Sequence, residues 1–392
     1  MQEILVLGAG KIGALISGLL AETSDYRVQL ADQRPGAAAA VAAAHGLRNI
    51  APFELDATDR SALAAHVAEH KPMAVISSLP YFCNVDVAEV ARETGLHYFD
   101  LTEDVEVTNR VREIASGSDA VFAPQCGLAP GFISIAANEL IQHFDTLRSV
   151  KLRVGALPQH PNNVLKYSLT WSTDGIINEY GNPCNAIVNG RETSVLPLEG
   201  LETIEIDGQA YEAFNTSGGL GSLADTYGDR VTTMNYKTIR YRGHCEQMRL
   251  LMNGLRLNDD RPTLKRILEN AVPETLQDVV IIYAAVTGHQ DGQFREENYV
   301  NKVYPRVVAG RLWSAIQITT AAGICSVVDI VLNGHDYQGF VAQEQFRLSD
   351  ILNNRFGAYY AHGGSNLDSA KLVARGETGH QRICGKAGKK EA

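Results

Sequence analysis

Ile4-Leu5-Val6-Leu7 is an unbroken apolar run that stops at Gly8-Ala9-Gly10-Lys11-Ile12-Gly13, after which Ile12, Leu15, Ile16, Leu19 and Leu20 recur at helical spacing. A short run apolar at every position predicts a strand buried on both faces, as a parallel sheet requires. The alternation continues. Arg27 to Ala31 predicts a strand ending at Asp32, Pro35 to Gly46 an alanine-rich helix, and Leu47 to Leu55 a strand ending at Asp56. Ser61 to His70 predicts a helix, Met73 to Ile76 a strand ending at Ser77-Ser78-Leu79-Pro80, and Val85 to Thr94 a helix closed by Gly95. A strand from His97 to Phe99 ends at Asp100, a helix runs to about Ala115, and the strand Ala120 to Ala123 ends at Pro124-Gln125-Cys126-Gly127. Strand and helix alternating at this spacing predict a Rossmann-type, doubly wound parallel sheet.

The pattern changes after Pro130-Gly131. An apolar helix from Phe132 to Phe144 leads into strand-like runs punctuated by Asn189-Gly190, Asp207-Gly208 and Asp291-Gly292, each a hairpin signal. Helices are expected around Cys245–Leu255 and Leu264–Ala271. Leu312 to Leu332 is apolar on most sides, which predicts a helix buried between domains. The expected organisation is a dinucleotide-binding domain over residues 1–126 and a mixed α+β domain with a mainly antiparallel sheet over 127–308. A return segment over 309–360 packs between the two, and a loose tail covers 361–392.

The composition is that of an ordinary globular chain: 392 residues, 45% hydrophobic and 20% charged. A net charge of −10 argues against nucleic acid or an anionic membrane as partner. The first strand begins almost at Met1, and no run is expected to span a membrane, so a cytoplasmic location is expected. Six scattered cysteines without a CxxC pair predict reduced thiols.

The glycine pattern gains meaning from its strand–turn–helix context. Gly8 permits the tight turn, Gly10 lets a pyrophosphate approach the backbone, and Gly13 lets helix and strand pack closely. The free N–H groups of Lys11, Ile12 and Gly13 face the phosphates. Asp32 stands about 20 residues on, where an acidic side chain binds the adenosine ribose of NAD. The neighbouring Gln33 and Arg34 leave NADP open, but the Asp32 carboxylate favours NAD. Asp56, Ser77, Ser78 and Leu79 end neighbouring strands and complete the expected cofactor site.

Ligands of open α/β sheets lie outside the carboxyl ends of the strands. Asp100, Tyr81 and Cys126 are therefore candidate catalytic residues by position, although Asp100 could equally cap the next helix and Cys126 could be a packing residue. In Tyr236 to Gly243, alternation places Thr238, Arg240 and Arg242 on one strand face, suited either to carboxylate capture or to a solvated surface. His66-Val67-Ala68-Glu69-His70 matches a zinc-hydrolase pattern but lies on a crossover helix away from the strand ends, so no metal site is expected. Gly219-Leu220-Gly221 lies outside any βαβ unit and is expected to form a loop beside the substrate.

Glu212-Ala-Phe-Asn-Thr216-Ser-Gly-Gly219, Tyr236-Lys-Thr-Ile-Arg240-Tyr-Arg242-Gly-His244, Gly127-Leu-Ala129-Pro-Gly131 and Tyr167-Ser-Leu-Thr-Trp171-Ser172 together resemble the saccharopine dehydrogenase family over about Met1 to Gly357. Ala129 and His244 stand where the saccharopine-forming branch usually has Asp and Phe, so the likeness leans toward the lysine 6-dehydrogenase branch. The resemblance implies oxidation of an amine carbon of a small amino acid with NAD or NADP, in an interdomain cleft, often in a homodimer. It adds Tyr167, Trp171, Thr216 and His244 to the expected site, with Asp100 and His244 leading as the general base. A polyamine-pathway dehydrogenase reducing the Schiff base of a carboxylated amine is the alternative within the family. A non-catalytic dinucleotide sensor is the alternative outside it.

Overall fold

The computed structural model describes residues 1–308, 310–334 and 337–361; the tail expected from 361 onward lies, beyond Ala361, outside the described residues. The amino-terminal half alternates as its pattern predicts: β1 (Gln2–Leu7), α1 (Lys11–Ala21), β2 (Tyr26–Asp32), α2 (Ala37–His45), β3 (Ile50–Glu54) and α3 (Arg60–His70). Then come β4 (Ala74–Ser77), α4 (Asn84–Thr94), β5 (His97–Asp100), α5 (Val105–Ile114) and β6 (Val121–Ala123). Ile4, Leu5 and Val6 have no exposed surface, which accounts for a strand apolar at every position. Gly95 takes φ 73° and ends α4 as expected.

α6 (Phe132–Ile141) leads to β7 (Thr146–Pro158), α7 (Thr173–Gly181), β8 (Cys184–Val188), β9 (Arg191–Val195), β10 (Glu202–Ile206), β11 (Gln209–Asn215) and α8 (Leu223–Tyr227). β12 (Val231–Tyr241), α9 (His244–Arg249), α10 (Arg261–Ala271), β13 (Asp278–Gln290) and β14 (Gln293–Val303) follow. All three expected hairpin turns form, with Asn189, Asp207 and Asp291 and the glycine after each at positive φ. The sheet order is β10-β11-β12-β7-β13-β14, with β8 also on β12. β12 and β7 run parallel and the other pairs antiparallel.

The return segment departs from expectation at both ends. Arg311–Trp313 is β16, paired with β15 (Arg306–Val308), so the long helix α11 (Ala315–Gly334) begins three residues later than Leu312. The cause lies elsewhere in the chain: the Asp278 carboxylate accepts the N–H groups of Ala315 (2.6 Å) and Ile316 (3.0 Å) and so starts the helix there. Contrary to the reading of the sequence, α11 is long and apolar enough to cross a membrane, yet it is a buried core helix packed on α1 and β13. Beyond it, β17 (Gly339–Phe340) adds a parallel strand beside β6. The resulting parallel sheet has the order β17-β6-β5-β4-β1-β2-β3. Its direction of growth reverses between β1 and β4, which opens a crevice at their carboxyl ends.

Candidate functional site

At that crevice the glycines behave as their spacing predicts. Gly8 has φ +98°, and a side-chain carbon there would lie 2.7 Å from the Ser78 carbonyl. One at Gly13 would lie 1.8 Å from the Gly8 carbonyl, so turn, helix and β4 end close on one another. A carbon on Gly10 would meet nothing within 4 Å among the described residues. Among the described residues no side chain caps α1, and no acid stands in its first turn, leaving its N–H groups for an anion. Gly10 and Lys11 line a cavity of ≈ 450 Å³ with Leu169, Thr170, Glu274 and Gln317. Lys11 reaches across it to Glu274 at 2.8 Å, and Ile12 is half-buried beside them.

Asp32 accepts the Ala9 N–H at 2.8 Å and, from Arg34, the backbone N–H at 2.9 Å and Nε–H at 3.0 Å. Chiefly through the Arg34 side-chain bonds, its acidity is strengthened to a pKa of about 2, so it is a carboxylate at neutral pH. Gln33 and Arg34 are exposed, and Asp56 holds Thr58 in the turn after β3. Ser78 and Leu79 stay half-exposed at the β4 end, whereas the Ser77 hydroxyl is turned inward to Asn84 at 2.7 Å. The cradle and its uncapped helix fit a dinucleotide.

The catalytic candidates read by position fare differently. Asp100 has no exposed surface; it accepts from Tyr98 Oη at 2.6 Å and from the N–H groups of Thr102 and Gln125 at 2.9 Å each. Its carboxylate ties β5 to the segment after β6 and is closed to a substrate. Nor does it cap the next helix, because Asp104 accepts the Val107 N–H there. Cys126 is buried and its thiol donates to the Ala123 carbonyl at 3.0 Å; burial pushes its pKa well up, so it is a packing residue. Tyr81 sits on a surface turn after β4, against Phe82. His244 is 2% exposed, with Nδ1 against the Leu165 carbonyl at 2.7 Å and Nε2 against Tyr180 Oη at 3.1 Å. Desolvation, with Arg240 nearby, takes its pKa down to about 3. It is therefore a neutral wall residue rather than a base.

The arginine strand divides. Arg240 is 3% exposed, donating from Nε to Tyr180 Oη at 2.8 Å and lying over the Tyr167 ring at 5.0 Å. Arg242 falls beyond the end of β12 and is exposed, so the two do not form a shared clamp. The buried Thr216 hydroxyl has no hydrogen-bond partner among the described residues, and the buried Tyr167 hydroxyl lies against Thr170 and Trp171. Trp171 borders a second cavity of ≈ 490 Å³ that shares Leu169 and Glu274 with the first. His66, from the zinc-like pattern, bonds Gln29 at 3.0 Å.

Four residues of this site escaped the sequence reading: Glu103, Glu179, Tyr180 and Tyr236. Burial pushes the Glu179 carboxyl up to about 8, against the lowering influence of Arg240, and pushes Glu103 up as well. The glycine-rich loop joins them. Ser217 N–H donates to the Glu179 carbonyl at 3.0 Å, Gly218 lies against Glu103, and Gly219 packs on the Tyr236 ring.

Residues 4–122 match the family model described as the saccharopine dehydrogenase NADP binding domain, and residues 127–357 that of the saccharopine dehydrogenase C-terminal domain. A curated relative from Pyricularia oryzae, saccharopine dehydrogenase [NADP(+), L-glutamate-forming], is 23% identical over 301 residues, covering 74% of this chain and 65% of its own. The matched stretch is thus just under two thirds of that relative's length. An apo saccharopine dehydrogenase (L-Glu forming) from Saccharomyces cerevisiae superposes with a TM-score of 0.70 at 19% identity, covering 87% of this chain and 94% of its own. A homospermidine synthase from Legionella pneumophila, in complex with NAD, gives a TM-score of 0.62 at 12% identity, covering 92% and 89%. Both structures share the fold.

Proposed function

The chain belongs to the saccharopine dehydrogenase family, and we propose that it is an NAD(P)-dependent oxidoreductase acting on the C–N bond of a lysine-derived amino acid. One observation carries the reading: Arg240 is a buried cation without an ion pair among the described residues. A guanidinium out of water and unpaired is costly unless a ligand anion completes it. Tyr180 and the backbone fix its plane, so a substrate carboxylate would meet a preset fork of donors. The Thr216 hydroxyl, without a partner among the described residues, offers a further bond to the same substrate.

The dinucleotide, when bound, supplies the hydride acceptor. This chain's residues hold the pyrophosphate on the α1 amides, hold the amino acid by its carboxylate on Arg240, and exclude water between the domains. The ionised Asp32 supports NAD as the preferred form, since a 2′-phosphate beside it would place like charges together. His244 and Ala129 support the lysine 6-dehydrogenase type. The test is formation of reduced cofactor with lysine, saccharopine and carboxylated polyamines. Arg240→Ala should raise KM for the amino acid at least about tenfold, from a charged hydrogen bond worth roughly 1.5–3 kcal/mol. Normal substrate binding by this variant would move the site elsewhere.

A further inference from the structure

We propose that Glu179 is the proton acceptor for the substrate nitrogen, with Glu103 as the positioning residue that keeps it basic; this rests on the amino-acid reading of the Arg240 site. The geometry comes first. Glu103 follows β5 on the cofactor side, and Glu179 lies in the last turn of α7 on the Arg240 side. Residues 216–221 draw them together: the Glu179 carbonyl receives the Ser217 N–H, and the Ser217 hydroxyl reaches the neighbouring Asn178 carbonyl at 3.4 Å. Gly218 then fits so closely on Glu103 that a side-chain carbon would lie 2.8 Å from its carbonyl oxygen. The Glu179 carboxyl stands within electrostatic reach of both Arg240 and Glu103, so the carboxylate anchor, the acceptor and the segment after β5 lie together.

Glu179 is also chemically open. Among the described residues none donates a hydrogen bond to its carboxylate, whereas Asp100 is closed by three donors. The titratable groups facing it are Arg240 and Tyr236 from β12, Tyr180 from α7, Tyr167 from the preceding loop, Cys184 from β8 and Glu103. Arg240 favours its ionised form; burial and the Glu103 charge oppose it more strongly, which leaves a base that titrates near about 8.

The step balances simply. An N–H bond of the substrate ammonium breaks, an O–H bond forms on Glu179, and the electron pair stays on nitrogen. That pair then forms the C=N bond as hydride leaves the carbon; the substrate is oxidised and the nicotinamide reduced. Water hydrolyses the iminium, and Glu179 returns its proton to solvent.

Wild-type oxidation of the amino acid is measured first across pH, with reduced-cofactor binding followed by fluorescence. The expected kcat/KM climbs with pH and levels above about 8. Glu179→Gln should lower kcat by about a hundredfold or more, as loss of a general base does, with unchanged cofactor binding and no break near that pH. Glu179→Asp should restore part of kcat. Glu103→Gln should move the break to lower pH, because a like charge is gone. A Glu179→Gln enzyme that loses only KM, or keeps the break, overturns the assignment while leaving the Arg240 site standing. Absence of any amino-acid turnover in the wild type overturns both.

Discussion

Arg153 and Arg240 lie on neighbouring strands of one sheet, point to opposite faces, and are both almost without exposed surface. Arg153 has Glu202 at 2.5 Å, a carboxylate it shares with Lys237 at 2.7 Å. Among the described residues Arg240 donates hydrogen bonds to Tyr180 Oη and the Ile239 carbonyl and has no ion pair. The first is a closed structural ion network, the second an open receptor. Alternation along β12 could name Arg240 as facing one side, but not say which side held a compensating acid. Glu179 was less legible still, because α7 carries no pattern strong enough to announce a helix. Its raised pKa also has a sign for stability. The folded chain prefers the protonated form, so this contribution is complete below the ordinary value of 4.5 and is lost as pH rises through about 8. Glu179→Gln should therefore lose less stability than wild type between pH 6 and 9, measured by urea unfolding at each pH. At Asp32 the expected outcome is a preference for NAD of at least about tenfold, or about 1.4 kcal/mol. Asp32→Ser should shrink or reverse it, since Arg34 is then released toward a 2′-phosphate; cofactor titrations with both forms decide.

At the scale of elements, local signals were reliable where the chain makes its own rules. The glycine loop, the three Asn-Gly or Asp-Gly turns and Gly95 all act within a few residues of themselves. What the pattern did not give was set at long range. β7, the strand joining the two halves of the second sheet, went unread although it is 13 residues long. β12 begins at Val231, five residues before Tyr236, because β7 offers it a parallel partner. β17 is only two residues and exists because β6 has a free edge. α11 starts where Asp278 reaches it from another strand. Asp278→Ala should then leave the buried Ala315 N–H and the part-buried Ile316 N–H unanswered at the start of the central helix. Loss of a cap and of its bonds should cost about 1–2 kcal/mol or more. The midpoint of urea unfolding is the measurement, and an unchanged midpoint would show that α11 finds another start.

Across the whole molecule, the loop over residues 216–221 is where the two domains are set against each other. It takes the end of α7 through Ser217, the β5 end through Gly218, and the segment after β6 through Gly221, which lies against Pro130 and Gln125. Its glycines serve close approach rather than phosphate binding. Gly218 has φ +84° and has no room for a side chain. Gly190, in the β8–β9 hairpin, has φ +71° and open space around it. Alanine at either position meets the left-handed penalty of roughly 1–2 kcal/mol, so both variants should lose similar amounts from that source alone. Only Gly218→Ala also pushes on Glu103, and through it on the spacing between the cofactor's strand ends and Glu179. A misplacement of about 1 Å can cost about a hundredfold in rate. Gly218→Ala should therefore lower kcat at least about tenfold, on that scale of sensitivity, whereas Gly190→Ala should leave kcat unchanged. Unfolding and steady-state kinetics on the pair separate the two effects: equal losses of kcat would mean that the loop contributes stability alone and that the carboxyl pair is positioned by something else.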